Sequence, residues 1–338
     1  MKVLIPVAGR GSNLRPLTNT QPKALLPVAG KPVIAHIIDI FIDAGFDDFI
    51  IVIGYMGTRI ESFILENYKD TKINFEFVVQ IPREGSAHAV YVAKNFFEEE
   101  KELMVCLGDS IVNLDIKQML ENPNSVVGYQ KVDNPGKVGV AELDAEGKVK
   151  RFVERPVIPK SNLGLVGIYK IVDIPAFIQG LEYVIDNNIT SQNEIVITGA
   201  IQKMVAEGCN FEVQEVENWY DCGARNSLLE ANATLLGRPG FQLTTTDDIK
   251  CENSIIIKPV KIGKNTVVKN AIIGPNVVIG EEAIIENCII ENSIIGAFTD
   301  LKDLLLKNSL VGHDSTLKGI AQSLNLGDHT EINFGNKV

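Results

Sequence analysis

The sequence predicts an α/β domain followed by a parallel β-helix. From residue 1 to about 170, short β-rich segments alternate with amphipathic helical segments, a pattern typical of a mostly parallel sheet covered by helices. From Ile255 onward, aliphatic residues recur at a spacing of mostly five or six, which is typical of a β-helix with short flat faces. The chain has 338 residues and 45% hydrophobic content, enough for two domains with sizeable cores.

Four apolar segments are predicted to form the first strands: KVLIPV, DDFIIVIGY, FEFVVQ and ELMVCLGD. Between them, KPVIAHIIDIFIDAGF carries apolar residues at helical spacing and ends at Gly45, as a capped helix does. A second helix, SAHAVYVAKNFFEEE, is predicted to begin near Ser86. This alternation indicates an α/β architecture.

After residue 138 the pattern becomes hairpin-like, because VGVAELDAEGKVKRFVERP alternates apolar and polar residues around the turn DAEG. A strand (LGLVGIYKI), helices at 173–186 and about 195–207, a strand (FEVQEVE) and a helix ending at Gly237 are predicted to follow. We assign residues 1–237 to the first domain and 255–338 to the β-helix. Residues 238–254 are the predicted linker, because RPGFQLTTTDD is polar and rich in helix and strand breakers.

The repeats of the β-helix are marked by inward-facing aliphatic residues, many of them followed by glycine. The predicted inward positions are Ile256, Ile262, Val268, Ile273, Ile279, Ile285, Ile290, Ile295, Leu305, Val311 and Leu317. An antiparallel sandwich of short strands is the alternative fold for this segment. It is disfavoured because period-2 alternation would not place glycine directly after the apolar residue so often.

Charge and cysteine content restrict the class of protein. The net charge is -11 and the pI about 5.0, which disfavours nonspecific binding to nucleic acid or to an anionic membrane surface. The five scattered cysteines include no C-x-x-C pair, which argues against a disulfide framework or a zinc site and fits a reducing cytoplasm. The N-terminus lacks the features of a signal peptide, and no segment approaches the roughly 18 apolar residues of a membrane helix. We therefore expect a cytoplasmic protein.

A glycine-rich loop, AGRGSNLRPLTNTQPKALLP, follows the first strand at residues 8–27. Such a turn lets backbone N–H groups approach phosphate oxygens, and nearby cations balance their charge. Leu14 stands where a dinucleotide-binding G-x-G-x-x-G loop has its third glycine, and the chain has no G-x-x-x-x-G-K-[ST] sequence. The loop therefore matches neither of these two phosphate-binding fingerprints.

The remaining pattern, G-x-G, then L-R-P-L-T, then P-K-A-L-L-P, resembles the sugar-1-phosphate nucleotidylyltransferases. IPVAG is similar to bacterial glucose-1-phosphate uridylyltransferases. REGSAHAV, LGD, VERP, NLGLVGIY and WYDCG are more similar to long-form glucose-1-phosphate thymidylyltransferases. The motifs cover nearly the whole chain in the family's order. The resemblance implies a Rossmann-like, GT-A-like nucleotidyltransferase domain with a mixed sheet, followed by a left-handed β-helix.

The resemblance also implies a reaction, in which the phosphate of a sugar 1-phosphate attacks the α-phosphorus of a nucleoside triphosphate in line and pyrophosphate leaves. dTTP is favoured as the nucleotide, UTP is next, and glucose 1-phosphate is favoured as the sugar. Guanylyl transfer to mannose 1-phosphate is the alternative within the family. By the same resemblance, Asp109 and Asp221 bind Mg²⁺, Lys23 reaches the α-phosphate, and Arg15 is a catalytic loop cation.

The other binding residues implied by the resemblance form two sets. The nucleotide set is Ala8, Gly9, Gly11, Ser12, Gln80, Gly85 and Ser86, with Gln80 bonded to the pyrimidine edge. The sugar-phosphate set is Gly139, Glu154, Arg155, Tyr169, Glu194 and Thr198. His88 is interpreted as a helix residue near the base, because this chemistry requires no imidazole.

Two departures from the family pattern leave a second class of function open. Asn13 replaces the loop arginine of the family, and Gly199 replaces an aspartate. Loss of one preorganised donor commonly costs about 3 kcal/mol in a transition state. Either Arg10 or Arg15 can supply the missing charge. Otherwise the chain is a regulatory protein that binds a nucleotide-sugar and turns it over poorly.

The β-helix raises two further expectations. One is acyl transfer with His313 or His329 as base, but both histidines lie in turn-like contexts (GHDS, GDHT) that favour corner residues. The other is assembly, because stacked coils expose flat aliphatic faces that a second subunit can cover. We expect a homo-oligomer, with a dimer favoured.

Overall fold

The computed structural model describes residues 1–238 and 249–319. The chain divides into two compact units, residues 1–241 and 242–338. The α/β class of the first unit and the β-helix of the second are both confirmed. Most of the predicted linker lies outside the described residues.

The first unit is built on a nine-stranded mixed sheet, with two short two-stranded sheets beside it. Its strands are β1 (Lys2–Pro6), β2 (Pro27–Val28), β3 (Lys31–Pro32), β4 (Asp48–Ile53), β5 (Asn74–Val79), β6 (Leu103–Cys106), β7 (Ser110–Asn113), β8 (Ser125–Lys131), β9 (Gly139–Leu143), β10 (Val149–Glu154), β11 (Leu163–Ile171), β12 (Phe211–Glu215) and β13 (Asn218–Asp221). The main order is β10-β9-β11-β6-β1-β4-β5, and β8 joins β11 to β12. The four strands from β6 to β5 are parallel.

Within residues 1–238, seven α-helices complete this unit. They are α1 (Val33–Asp43), α2 (Gly57–Asn67), α3 (Ser86–Val92), α4 (Ile116–Glu121), α5 (Ile174–Asp186), α6 (Ile197–Ala206) and α7 (Arg225–Leu236). Gly45, in the left-handed region at φ +94°, follows the end of α1 as predicted. The predicted helix from Ser86 is shorter than expected, because α3 ends at Val92 and a 3₁₀ turn follows.

The core of the first unit lies where the parallel strands meet the helices. Leu4, Ile50 and Val105, on three neighbouring strands, are fully buried and pack in one cluster with Phe177 and Leu181 of α5. The near-continuous apolar character of these strands therefore reflects burial within the covered sheet.

The topology brings several loops to one edge of the sheet. Because β1, β5 and β6 are parallel, the segments that follow them emerge at their common carboxyl edge. The antiparallel ribbon of β7 and β13 reaches the same place, since Asp221 pairs with Ser110 just after β6. Residues far apart in the chain are thus gathered at this edge.

The second unit is a left-handed β-helix with three parallel sheets, one on each face. Its strands are β14 (Lys250–Glu252), β15 (Ile255–Ile256), β16 (Val260–Ile262), β17 (Val267–Lys269), β18 (Ile272–Ile273), β19 (Val277–Ile279), β20 (Ile284–Glu286), β21 (Ile289–Glu291), β22 (Ile294–Ile295), β23 (Asp300–Lys302), β24 (Leu305–Lys307), β25 (Leu310–Val311) and β26 (Thr316–Lys318). On the first face Lys250 pairs with Val267, then Ile284, Asp300 and Thr316 in turn. Successive coils are therefore offset by 17, 17, 16 and 16 residues, as those pairings give.

The corners of the β-helix are held by asparagines in the left-handed backbone region. Asn253, Asn270 and Asn287 all have positive φ and stack one coil apart. The amide of each donates to the next side chain along the stack, which ends at Asp303. Asparagine tolerates positive φ better than most residues, which explains the asparagines in this stack.

Two details of the predicted repeat differ from the structure. The first strand begins at Lys250, earlier than residue 255, because residues 250–252 pair in parallel with β17. On β24 Leu306 packs against the core, whereas the predicted Leu305 is 76% exposed. The inward residues Leu301 and Leu306 are five positions apart here. The prediction of Leu305 was therefore wrong by one position, and a shift of one residue turns a strand side chain from the core to the outside.

The histidine considered for acyl transfer has a structural partner. His313 Nδ1 accepts a hydrogen bond from the backbone N–H of Ala297 at 3.0 Å, which ties together two corners of the β-helix. His329 lies outside the described residues. In the described part of the chain no helix is long and apolar enough to cross a membrane.

A buried lysine, Lys170, connects β11 to the end of α4 by hydrogen bonds. Lys170 on β11 is 1% exposed, and its Nζ donates to the carbonyls of Leu120 at 3.0 Å and Asn122 at 2.5 Å. Lys170→Met leaves both carbonyls without this donor, so we expect a loss of about 1–3 kcal/mol in the free energy of unfolding, measured by urea denaturation. The exposed Lys117→Met on α4 is the matched control and should change stability by less than about 0.5 kcal/mol. Equal effects of the two substitutions would contradict a structural role for Lys170.

Candidate active site

An ion pair lies at the centre of the carboxyl edge. Lys23 Nζ is 2.6 Å from Asp109 Oδ2, although the residues are far apart in sequence. Burial opposes the charged form of Lys23, but Asp109 and then Asp221 outweigh it and raise the pKa of the lysine. Burial likewise acts to raise the pKa of Asp109, and Lys23 holds that pKa below its usual range. Both groups are therefore charged near neutral pH.

A second carboxylate joins this pair through the β7–β13 ribbon. The backbone N–H of Cys222 donates to the Asp109 carbonyl at 2.9 Å, which fixes the end of β13 beside β6. Asp221 Oδ1 accepts from the Gly223 N–H at 2.7 Å. Desolvation by the surrounding protein and the charge of Asp109 raise the pKa of Asp221. Asp221 is also exposed, so a ligand can reach its carboxylate.

Gly223 leaves room between the Asp221 carboxylate and the Lys23 ammonium group. A Cβ at this position would lie 2.6 Å from Asp221 Oδ1 and 3.4 Å from Lys23 Nζ. Any larger residue would therefore press on the carboxylate and approach the ammonium group.

The glycine-rich loop is fastened against the same lysine. Gly11 has φ +62°, and a Cβ there would lie 2.8 Å from the Cβ of Lys23. Thr18, which is 1% exposed, donates from Oγ1 to the Gly11 carbonyl at 2.8 Å. Ala8 is buried, and its carbonyl accepts from the Tyr55 N–H. The exposed residues of the loop that were predicted to bind ligand are Gly9, Ser12 and Arg15.

The predicted base-binding residues form a second group. Gln80 follows β5, is 3% exposed, and donates from Nε2 to the Gly85 carbonyl at 3.0 Å. A Cβ on Gly85, which has φ +113°, would lie 2.5 Å from the Ile195 carbonyl oxygen. Ser86 Oγ accepts from the Ile197 N–H at 3.0 Å. This group is therefore anchored to the segment that precedes and begins α6.

The predicted sugar residues form a third group around Glu154. Glu154 Oε2 accepts from Thr198 Oγ1 at 2.7 Å, and a Cβ on Gly139 would lie 2.8 Å from the same oxygen. Burial raises the pKa of Glu154, and Thr198 and Arg155 offset part of this increase. Arg155 Nε lies 3.4 Å from Glu154 Oε1. Burial and the charge of Glu154 raise the pKa of Tyr169, which places the phenol in this group.

One residue assigned to the sugar set also lies against the base-binding group. Glu194 lies beside Gly85, since a Cβ on that glycine would be 3.0 Å from Glu194 Cβ. Arg15 is exposed and forms no ion pair within residues 1–238 and 249–319. The other predicted residues fall within the three groups or on the loop next to Lys23.

Sequence reasoning missed several residues that shape the site. Thr18 and Gly223 lie within the motifs L-R-P-L-T and WYDCG. The sequence pattern does not show that Thr18 anchors the loop or that Gly223 leaves space beside Asp221. His88, predicted only as a helix residue near the base, has its Nδ1 3.1 Å from Gln80 Nε2. The signal available in the sequence was its spacing of three residues from Gly85 at the start of a helix.

The donor set at the centre fits a hard divalent cation. Two carboxylates, Asp109 and Asp221, lie together, and each acts on the pKa of Lys23. The described residues contain no cluster of three or more His, Cys, Asp or Glu side chains that would hold a metal by protein ligands alone. A cation with octahedral preference would take two protein ligands here and fill its remaining positions with ligand oxygens and water.

Comparison with known families matches both units. Residues 2–238 match a family described as nucleotidyl transferase. Residues 244–297 match a family described as GlmU-like, C-terminal hexapeptide.

Similar curated proteins cover different shares of the chain. The low-salt glycan biosynthesis nucleotidyltransferase Agl11 of Haloferax volcanii is 31% identical, over 75% of this chain and 72% of its own length. Glucose-1-phosphate thymidylyltransferase of Streptomyces antibioticus is 29% identical, over 90% and 83%. The bifunctional protein GlmU of Methanococcus maripaludis is 32% identical over 77% of this chain, which spans only 62% of that protein.

Solved structures share the fold of the first unit. A putative glucose-1-phosphate thymidylyltransferase from Bacillus anthracis superposes with a TM-score of 0.60 at 28% identity, covering 69% of this chain and 94% of that one. A UDP-glucose pyrophosphorylase complexed with UDP-glucose superposes with a TM-score of 0.60 at 24% identity, covering 69% and 97%. The latter similarity shows the fold alone.

The raised pKa of Glu154 predicts how the stability of the protein depends on pH. This raised pKa means that the folded protein binds this proton more tightly than the unfolded chain, so ionising Glu154 costs stability as pH rises above the ordinary carboxyl range. We expect Glu154→Gln to be more stable than the unmodified protein at about pH 7 and to lose that advantage near pH 4. Urea denaturation at both pH values measures this, with exposed Glu99→Gln as the control. An advantage that is larger at the lower pH would contradict the raised pKa.

Proposed function

Since this chain belongs to the nucleotidyl transferase family, we propose that it transfers a nucleotidyl group from a nucleoside triphosphate to a sugar 1-phosphate and releases pyrophosphate. The observation that carries the proposal is the cluster of Lys23, Asp109 and Asp221 beside the glycine-rich loop. All three residues lie in the part of the chain that matches the family.

For the substrates we propose dTTP first and UTP second as nucleotide, with glucose 1-phosphate as acceptor. Supporting this choice, the glucose-1-phosphate thymidylyltransferase of Streptomyces antibioticus aligns with 90% of this chain, β-helix included. Guanylyl transfer to mannose 1-phosphate stays the alternative. The free cysteines, three of them buried, support a reducing compartment and hence the cytoplasm as the proposed location.

The proposed reaction is an in-line substitution at phosphorus. An oxygen of the sugar phosphate forms a bond to the α-phosphorus, and the bond from that phosphorus to the oxygen bridging the β-phosphate breaks. Pyrophosphate takes the electron pair of the broken bond. No covalent intermediate with the protein is needed, so the side chains act by positioning and by charge.

We propose that Asp109 and Asp221 hold Mg²⁺, which when bound supplies positive charge to the phosphate oxygens. Lys23 is a flexible point charge that can turn from Asp109 towards the α-phosphate. We infer that Arg155 binds the sugar phosphate, and its position near enough to Asp221 to lower the pKa of that carboxyl supports this role. Glu154, which already accepts a hydrogen bond from Thr198, accepts further hydrogen bonds from the sugar hydroxyls in this proposal.

Asn13 leaves the loop without the arginine of the family pattern. We infer that Arg15, or Arg10 in the same loop, provides the missing charge when the triphosphate binds, because both are exposed and lie within three residues of Asn13. In the described residues neither is held by an ion pair, so either can reorient at little cost.

The transfer reaction is tested by pyrophosphate release from dTTP, UTP, GTP, CTP and ATP, each with glucose, mannose, galactose or N-acetylglucosamine 1-phosphate. We expect one pair to dominate, to require added Mg²⁺, and to lose about a hundredfold or more in kcat with Asp109→Asn. The exposed Asp70→Asn is the matched control and should keep its rate. Nucleotide-sugar binding without pyrophosphate release from any pair would replace the enzyme proposal with a sensor.

We also propose that the β-helix pairs two copies of the chain. The residues Ile255, Ile272, Ile289 and Leu305 stack in register on the outside of one face. Ile255, Ile289 and Leu305 are 59%, 46% and 76% exposed. Such a flat aliphatic strip is self-complementary across a two-fold axis, which favours a dimer.

Leu305→Glu should therefore raise the monomer fraction in sedimentation velocity at micromolar concentration, because it buries a charge in the proposed interface. Thr316→Glu, an exposed outward position on a different face, is the matched control and should leave the sedimentation profile unchanged. A monomeric unmodified protein, or equal behaviour of both variants, would exclude this interface.

A further inference from the structure

The side chain of Gln80 has a defined orientation. Its Nε2 lies 3.0 Å from the Gly85 carbonyl oxygen. A carbonyl only accepts hydrogen bonds, so the atom facing it must be the amide nitrogen. Because Gln80 is 3% exposed and the contact spans only five residues, the amide cannot be reversed without placing two oxygens against each other.

The same nitrogen also contacts His88. Gln80 Nε2 lies 3.1 Å from His88 Nδ1, and His88 is itself 9% exposed at the start of α3. The amide nitrogen carries two hydrogens and accepts none, so His88 Nδ1 must be the acceptor. The imidazole is then neutral, with its hydrogen on Nε2, the ring nitrogen that lies 3.8 Å from the Glu84 carboxylate.

Both hydrogens of the Gln80 amide are therefore committed within the protein, one to Gly85 and one to His88. The Oε1 atom makes no hydrogen bond within residues 1–238 and 249–319. Since no buried side-chain oxygen or nitrogen in that part of the chain lacks a partner, this oxygen is open to solvent. Towards a ligand, Gln80 can only accept.

We propose that His88 is a positioning residue that makes Gln80 a pure hydrogen-bond acceptor and thereby selects uracil or thymine over cytosine. The inference rests on the proposed nucleotidyl transfer and on Gln80 facing the base. At the middle of their pairing edge, uracil and thymine present N3–H, which needs an acceptor. Cytosine presents a lone pair at N3, which the Gln80 oxygen repels.

Without His88, one hydrogen of the Gln80 amide is released. The Gln80 amide nitrogen then has one hydrogen available to donate to a ligand, which lowers the penalty against cytosine even though the contact with Gly85 persists. Asparagine is the conservative replacement, because its Oδ1 occupies nearly the position of the imidazole Nδ1 and accepts from Gln80. Leucine has similar bulk and no acceptor.

The test compares kcat and KM for dTTP, UTP and CTP in the unmodified protein, His88→Asn and His88→Leu. We expect His88→Leu to lower the preference for dTTP or UTP over CTP by about tenfold, mainly through KM because the base is remote from the reacting phosphorus. His88→Asn should retain the preference within about threefold. An unchanged preference in His88→Leu, or equal losses in both variants, would overturn the proposal.

A second measurement does not depend on turnover. Nitrogen-15 NMR of the imidazoles distinguishes a bare Nδ1 from a protonated one, and the signal of His88 is identified by its loss in His88→Asn. We expect a bare Nδ1 at neutral pH, and a protonated Nδ1 would overturn the proposal. If the unmodified protein releases no pyrophosphate with any nucleotide, the transfer proposal fails, while the tautomer still tests the role of His88.

Discussion

The attraction between Lys23 and Asp109, a partly buried ion pair, is the interaction on which the site depends. The ammonium group of Lys23 and the carboxylate of Asp109, 2.6 Å apart, satisfy each other in a partly buried environment. To bring them together, the glycine-rich loop has to cross directly over the lysine, which leaves no room for a side chain on Gly11. The carboxylate in turn sits where three polypeptide segments meet, because the backbone of Cys222 bonds to the carbonyl of Asp109. The glycine-rich loop, the end of β6 and the β7–β13 ribbon therefore meet at this ion pair.

The periodic part of the fold was predictable from the sequence, and the contacts between distant segments were not. The strands KVLIPV and DDFIIVIGY and the coils of the β-helix carry strong local patterns, and the structure has them where the patterns lie. The β7–β13 ribbon was not predicted, because its pairing is non-local and its strands are short. Leu305 was assigned inward although Leu306 occupies that position, since adjacent leucines make a one-residue shift invisible to periodicity.

The candidate site was predictable in its residues but only partly in its grouping. The resemblance named Glu194 and Thr198 together because both lie in the segment NEIVITGAI, which is similar to one motif of the family. The turn of the chain before α6 separates them, so that Thr198 bonds to Glu154 while Glu194 lies beside Gly85. His88 was set aside because it has no part in the chemistry, and its contact with Gln80 depends on how α3 meets the end of β5. Roles that act through another side chain require the three-dimensional arrangement.

The repeating register of the β-helix constrains how this protein can vary in size. Each coil pairs with the next through parallel strands, and successive coils add one member each to the corner stack of Asn253, Asn270 and Asn287. An insertion of a few residues breaks this stacking, whereas an insertion of a whole coil of 16 or 17 residues, the offsets seen here, preserves it. Length therefore changes in discrete steps of about 4.8 Å, the spacing of adjacent strands. Natural variants of different length are accordingly expected to differ by complete coils, with the catalytic half left unaltered.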